Sequence, residues 1–109
     1  MDMKDVVRIG ILMDLYENLL TERQRNVLNL YINEDYSLLE ISELTGVTRQ
    51  AAHDTIKKSL RQLEKFDSKL GLTKHNERIK KKLKDIKEKL NHEGVKSVDG
   101  ELDDLISNL

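Results

Sequence analysis

Residues 37–63, SLLEISELTGVTRQAAHDTIKKSLRQL, place two helix-start signals on either side of a single glycine. Ser37 with Glu40 three residues later is a capping box, in which the hydroxyl accepts a first-turn backbone N–H and the carboxylate accepts the N–H of the cap residue. A short helix therefore starts at Ser37. It stops at Gly46, because glycine enters the left-handed conformation without steric cost and a sharp reversal between helices needs that conformation. Thr48 caps the helix that follows. Ile41, Leu44, Val47, Ala52 and Ile56 supply the apolar angle between the two, and the small side chains of Ser42 and Ala52 permit close approach. The spacing predicts a helix-turn-helix.

Working outward, Thr21 and Gln24 form a second capping box. It opens a helix with Val27, Leu28, Tyr31 and Ile32 on one side, which the loop Asn33-Glu34-Asp35 closes. Residues 3–20 read as an amphipathic helix: Val6, Ile9, Met13, Tyr16 and Leu20 recur at steps of three and four, and Val7, Ile11 and Leu12 widen the stripe. That is more apolar surface than one small neighbour covers. Downstream, Ile56, Leu60, Leu63 and Leu70 keep a helical spacing until Gly71 provides a stop. Thr73 then begins a charged helix of about residues 73–93, in which Ile79, Leu83, Ile86 and Leu90 make a narrow two-in-seven seam suited to one partner helix. Glu77 with Lys81 and Asp85 with Lys89 are favourable pairs four apart on its wet face. Asp99 is expected to cap a tail helix carrying Leu102, Leu105, Ile106 and Leu109.

The composition agrees with an all-α chain. There is no proline, and 36% of the 109 residues are charged, which helices accommodate on their exposed faces. A chain of this length suits one helical domain over residues 1–109, with the helix-turn-helix core at about 21–66. With 4% aromatic residues, the core rests on Leu, Ile, Val and Met. Zero cysteines exclude a disulfide scaffold and thiolate chemistry and agree with a reducing cytoplasm. The longest apolar run, residues 9–13, is far too short to insert in a membrane, and MDMKD is too acidic to open a signal peptide.

The formal net charge of −1 conceals a segregation. Residues 1–47 carry 4 basic and 9 acidic groups, residues 48–92 carry 14 and 6, and residues 93–109 carry 1 and 5, giving −5, +8 and −4. A basic middle between acidic ends can hold a phosphate backbone locally.

With Ala52 at the centre of the buried side, steps of about 100° put Gln50, Asp54, Lys57, Lys58 and Arg61 on the outward arc, with Arg49 and His53 at its border. Early residues of the second helix meet base edges in such motifs, so Arg49, Gln50, His53 and Asp54 are the candidate readers. Lys57, Lys58 and Arg61 are the candidate phosphate holders. Asp54 counts against DNA unless it accepts a hydrogen bond from a cytosine amino group. The lysine-rich run from Arg78 to Lys89 has the charge to clamp phosphates of DNA or RNA, but such runs on helices are usually solvated faces, and this run reads as one. Tyr16, Tyr31 and Phe66 fall at core positions, which leaves Tyr36 in a loop and few rings to stack on RNA bases. His53, His75 and His92 lack metal-binding spacing, and no phosphate loop or serine elbow occurs, so neither an enzyme nor a cofactor or metal site is expected.

From TERQRNVLNLYI through the motif, about residues 21–66, the chain resembles region four of bacterial sigma factors. Across nearly its full length it is similar to the YlxM family of small bacterial proteins. The resemblance implies a sigma-region-four-like helix-turn-helix bundle with an added N-terminal helix and a long C-terminal helix. It also implies a DNA-binding regulatory role and a link to the signal recognition particle pathway. The stretch Ala51-Ala52-His53-Asp54 departs from the basic or hydroxyl residues common on this helix in sigma factors. The alternative is therefore a non-catalytic adaptor for a protein or the RNA of that pathway. The wide first stripe and the narrow seam together lead us to expect a homodimer through the N-terminal and C-terminal helices, which would suit half-sites roughly 34 Å apart on double-stranded DNA.

Overall fold

A computed structural model describes residues 3–108. The described chain is a succession of helices: α1 (Met3–Tyr16), a 3-10 turn (Glu17–Leu19), α2 (Glu22–Ile32), α3 (Leu38–Thr45), α4 (Arg49–Leu70), α5 (Leu72–His92), a second 3-10 turn (Val95–Val98) and α6 (Asp99–Ser107). The chain gathers into two compact units, the first ending at Gly71 and the second beginning at Leu72.

The first unit is built around α4, against which α1, α2 and α3 all pack. Its core joins Leu12 and Tyr16 of α1, Val27 and Leu28 of α2, Ile41 of α3 and Ala52, Ile56 and Leu63 of α4, all buried. Both capping boxes form as the sequence predicts: Thr21 with Gln24 and Ser37 with Glu40. Between α2 and α3, Asp35 takes a positive φ of 55°, a conformation that aspartate tolerates better than most residues. The turn is held by the Tyr36 N–H, which donates to the Leu30 carbonyl at 2.9 Å.

Several expectations need correction. The first helix ends at Tyr16 rather than Leu20. Leu20 reaches the core through the 3-10 turn in extended backbone, which leads directly into the extended cap residue Thr21. Within this unit Val7 and Ile11 stay exposed while Leu12 is buried, so the wide stripe is only partly used. Leu44 is 62% exposed, because the inner arc of α3 runs through Leu38, Ile41 and Ser42 and excludes it. Leu70 keeps the apolar spacing of α4 but is exposed in its last turn.

α1 is fastened to the second half of α4 by polar contacts. The Tyr16 hydroxyl donates to Asp67 at 2.7 Å, and the Arg8 guanidinium donates to Glu64 at 2.9 Å and to Asp67 at 3.2 Å. The hydrogen bond with Glu64 leads in holding the Arg8 guanidinium above its ordinary pKa. The Tyr16 and Phe66 rings lie 6.2 Å apart, within the range of favourable tilted aromatic pairs.

In the second unit, Ile86, Val98 and Leu105 form a small core against which Ile79 and Leu102 pack. Leu83 and Leu90 of the predicted seam remain exposed. Asp99 is not a cap: its φ and ψ of −55° and −48° are already helical, whereas a capping side chain works from extended backbone. Val98 precedes α6 without a side-chain cap. Leu109, expected on this helix, lies outside the described residues. Lys89 and Glu101 form an ion pair between α5 and α6, and that hydrogen bond leads in raising the Lys89 pKa.

Candidate nucleic-acid interface

The turn between α3 and α4 is only three residues, and polar bonds fix each of them. Gly46 sits at φ 79° and ψ 1°, its N–H donating to the Ser42 carbonyl at 2.9 Å. The Ser42 hydroxyl donates to the Val47 carbonyl at 2.6 Å. Thr48, in extended backbone, accepts the Ala51 N–H at 3.0 Å. Ala52 is fully buried beneath the turn, so the chain reverses at Gly46 and α4 leaves with a fixed rotational phase. That phase decides which residues face out.

Arg49, Gln50, Asp54, Lys57, Lys58 and Arg61 are all exposed, and His53 is half-buried at the edge of their arc. The outward face is therefore laid out as the helical phase predicts. Within that face the polar groups pair toward the start of the helix. Asp54 accepts a hydrogen bond from the Gln50 amide at 2.9 Å, and His53 Nδ1 lies 3.8 Å from the same carboxylate oxygen. Asp54 thus leans toward the start of α4, away from the following turn. Among the described residues, neither Lys57 nor Lys58 takes part in an ion pair, so both ammonium groups stay solvated. The face has two zones, a polar cluster at residues 50–54 and an unneutralised cationic stretch at 57–61.

Sequence reasoning does not single out Arg23, which a bond between α2 and α4 helps to place. The Gln24 amide, buried at the start of α2, donates to Gln62 of α4 at 2.8 Å and ties these helices together. Beside this tie, Arg23 borders a surface groove whose α4 side is formed by Asp54, Thr55 and Lys58. Arg23 thus shares this groove with Lys58, and the Asp54 carboxylate lies on the same rim. The only sequence signal was an exposed arginine in the first turn after a cap, and nothing local shows which part of α4 it faces. The lysine run of α5 lies on solvated faces, Lys89 alone being drawn toward α6. None of the described helices is long and apolar enough to cross a membrane.

Comparison with known proteins agrees with this architecture. Residues 3–101 match the family described as "Putative helix-turn-helix protein, YlxM / p13 like". A UPF0122 protein of Clostridium novyi is 47% identical over 89 residues, covering 82% of this chain and 77% of that protein. One from Clostridium botulinum is 48% identical over 88 residues, covering 81% of each. A third, from Symbiobacterium thermophilum, is 42% identical over 88 residues, covering 81% of this chain and 82% of its own length. With its capped helices, its glycine turn and a match over nearly all its length, the chain belongs to the UPF0122 family of YlxM/p13-like proteins.

Proposed function

We propose that this protein is a cytoplasmic, DNA-binding regulator whose α4 enters the major groove of double-stranded DNA. Arg49, Gln50, His53 and Asp54 face base edges, and Lys57, Lys58 and Arg61 hold phosphates, with Arg23 adding a contact from α2. The observation that carries this reading is the solvated cationic stretch at residues 57–61, aimed outward by the turn at Gly46. Asp54 is compatible with it because Gln50 draws that carboxylate away from the phosphate-holding turn.

The test is binding to duplex DNA over a salt series. Each lysine that holds a phosphate contributes about 1 to the slope of log affinity against log salt. Lys57→Ala and Lys58→Ala together should therefore lower it by about 2, and Arg23→Ala by about 1 more. No duplex binding at low salt would refute the proposal.

Asp54 also favours a second reading. A carboxylate in the middle of the reading surface opposes a nucleic-acid backbone, which suits an adaptor that contacts a protein or the RNA of the signal recognition particle pathway, as the family resemblance implies. Salt-sensitive binding to that RNA without duplex binding, or capture of a protein of the pathway without either, would select the adaptor.

A further inference from the structure

α6 runs back along α5. At one end Glu101 meets Lys89, and toward the other Leu105 and Asn108 lie beside Arg78 and Ile79. Steps of about 100° per residue divide each helix into sides. On α5, Ile79 and Ile86 point toward α6, Lys82, Asp85 and Lys89 fall to one side, and Leu83, Lys87 and Leu90 fall to the other. On α6, Glu101 and Asp104 border a hollow with Lys82, Asp85 and Lys89, so Ile106 and Asp103 project on the side of Leu83 and Leu90. One side is thus closed by the Lys89–Glu101 pair. The other is open: Leu83 is 49%, Leu90 41% and Ile106 67% exposed, with Leu102 half-buried at the bottom.

The edges of this apolar groove carry opposite charges. On the α5 side stand Lys80, Lys84 and Lys87, and on the α6 side Asp99 and Asp103, all exposed. A partner bearing one sign of charge, such as a nucleic acid, would be repelled by one edge. A second copy would not, because a twofold axis parallel to the helices lays each basic edge on the other copy's acidic edge. A perpendicular axis would lay lysine on lysine.

We infer that α5 and α6 form one half of a four-helix association between two copies of this chain, joined through the groove of Leu83, Leu90, Leu102 and Ile106. Asp103 lies between the levels of Glu101, beside Lys89, and Leu105, beside Ile79 and Lys82. That puts Lys87 at the height of Asp103 of the partner subunit. The inference is independent of the DNA reading and replaces a broad α1 contact with a defined surface on α5 and α6.

Sedimentation equilibrium of the full chain tests it, with circular dichroism to verify that each variant keeps its helices. The wild type should sediment at twice 12.7 kDa. Leu83→Glu with Ile106→Glu, both at exposed positions, should raise the dimer Kd by at least about a hundredfold. Lys87→Asp or Asp103→Lys alone should raise it by roughly tenfold, and the two combined in one chain should restore it, since the pair is then reversed rather than broken. A monomeric wild type would overturn the inference. So would a dimer indifferent to Leu83→Glu with Ile106→Glu, one lost only on Val7→Glu with Ile11→Glu, or charge variants whose combination restores nothing.

Discussion

Gly46 and Gly10 offer one substitution with two opposite outcomes. A Cβ built at either glycine meets no atom within 4 Å, so alanine clashes at neither site and only backbone conformation separates them. At Gly46, with φ 79°, alanine bears the left-handed penalty of roughly 1–2 kcal/mol. The lower entropy of its unfolded chain returns about 0.4–1 kcal/mol of that, so Gly46→Ala should destabilise by about 1 kcal/mol. Gly10 lies in the third turn of α1 in helical backbone, where alanine is favoured over glycine by about 0.5–1 kcal/mol. Thermal unfolding followed by circular dichroism should put the two midpoints on opposite sides of wild type, each displaced by about 4–8 °C per kcal/mol for units of this size. Equal signs for the two variants, or a neutral Gly46→Ala, would refute the claim that the turn rests on a left-handed residue.

Two further outcomes follow from the core and the caps. Leu63 is fully buried where α4 faces its neighbours, so Leu63→Ala should cost about 2–5 kcal/mol in urea unfolding, and a loss under about 1 kcal/mol would show that α4 is not the central element. The Glu40 carboxyl is held below its ordinary pKa, chiefly by the backbone N–H of Ser37 and then by the Ser37 side chain. A depressed folded-state pKa means that this cap contributes fully above the unfolded glutamate value of about 4.3 and fades as pH falls through the lower folded value. Glu40→Gln keeps an accepting oxygen, so it should leave neutral-pH stability nearly unchanged and flatten the acid limb of the profile. Parallel acid limbs for wild type and variant would contradict that assignment.

How far the residues foretold the structure depended on whether the deciding interaction was local. The caps at Thr21, Ser37 and Thr48 and the stops at Gly46 and Gly71 were legible because each is set by bonds spanning four residues or fewer, or by one φ angle. The outward arc of α4 was legible for a related reason: once Ala52 is buried, helical phase places Gln50, Lys57 and Arg61. Leu44 misled because its apolar character gave no hint that α3 turns Leu38 and Ser42 inward instead. Arg23 was missed because its place beside α4 depends on the Gln24–Gln62 bond, between residues 38 apart. The partner of Asp54 was not legible, since a lysine one turn ahead and Gln50 one turn behind are equally near in sequence.

The fastening of α1 to the far half of α4 has a mechanical consequence. Only the first few turns of that helix would lie in a DNA groove, while Arg8 and Tyr16 grip it at Glu64 and Asp67. It behaves as a beam clamped beyond its loaded end, so torque applied near Gln50 is resisted at Asp67 as well as by the short helix beside it. A fragment reduced to residues 37–63 would lose that anchorage and leave Leu63 bare. The start of α4 thus draws its stiffness from the whole first unit.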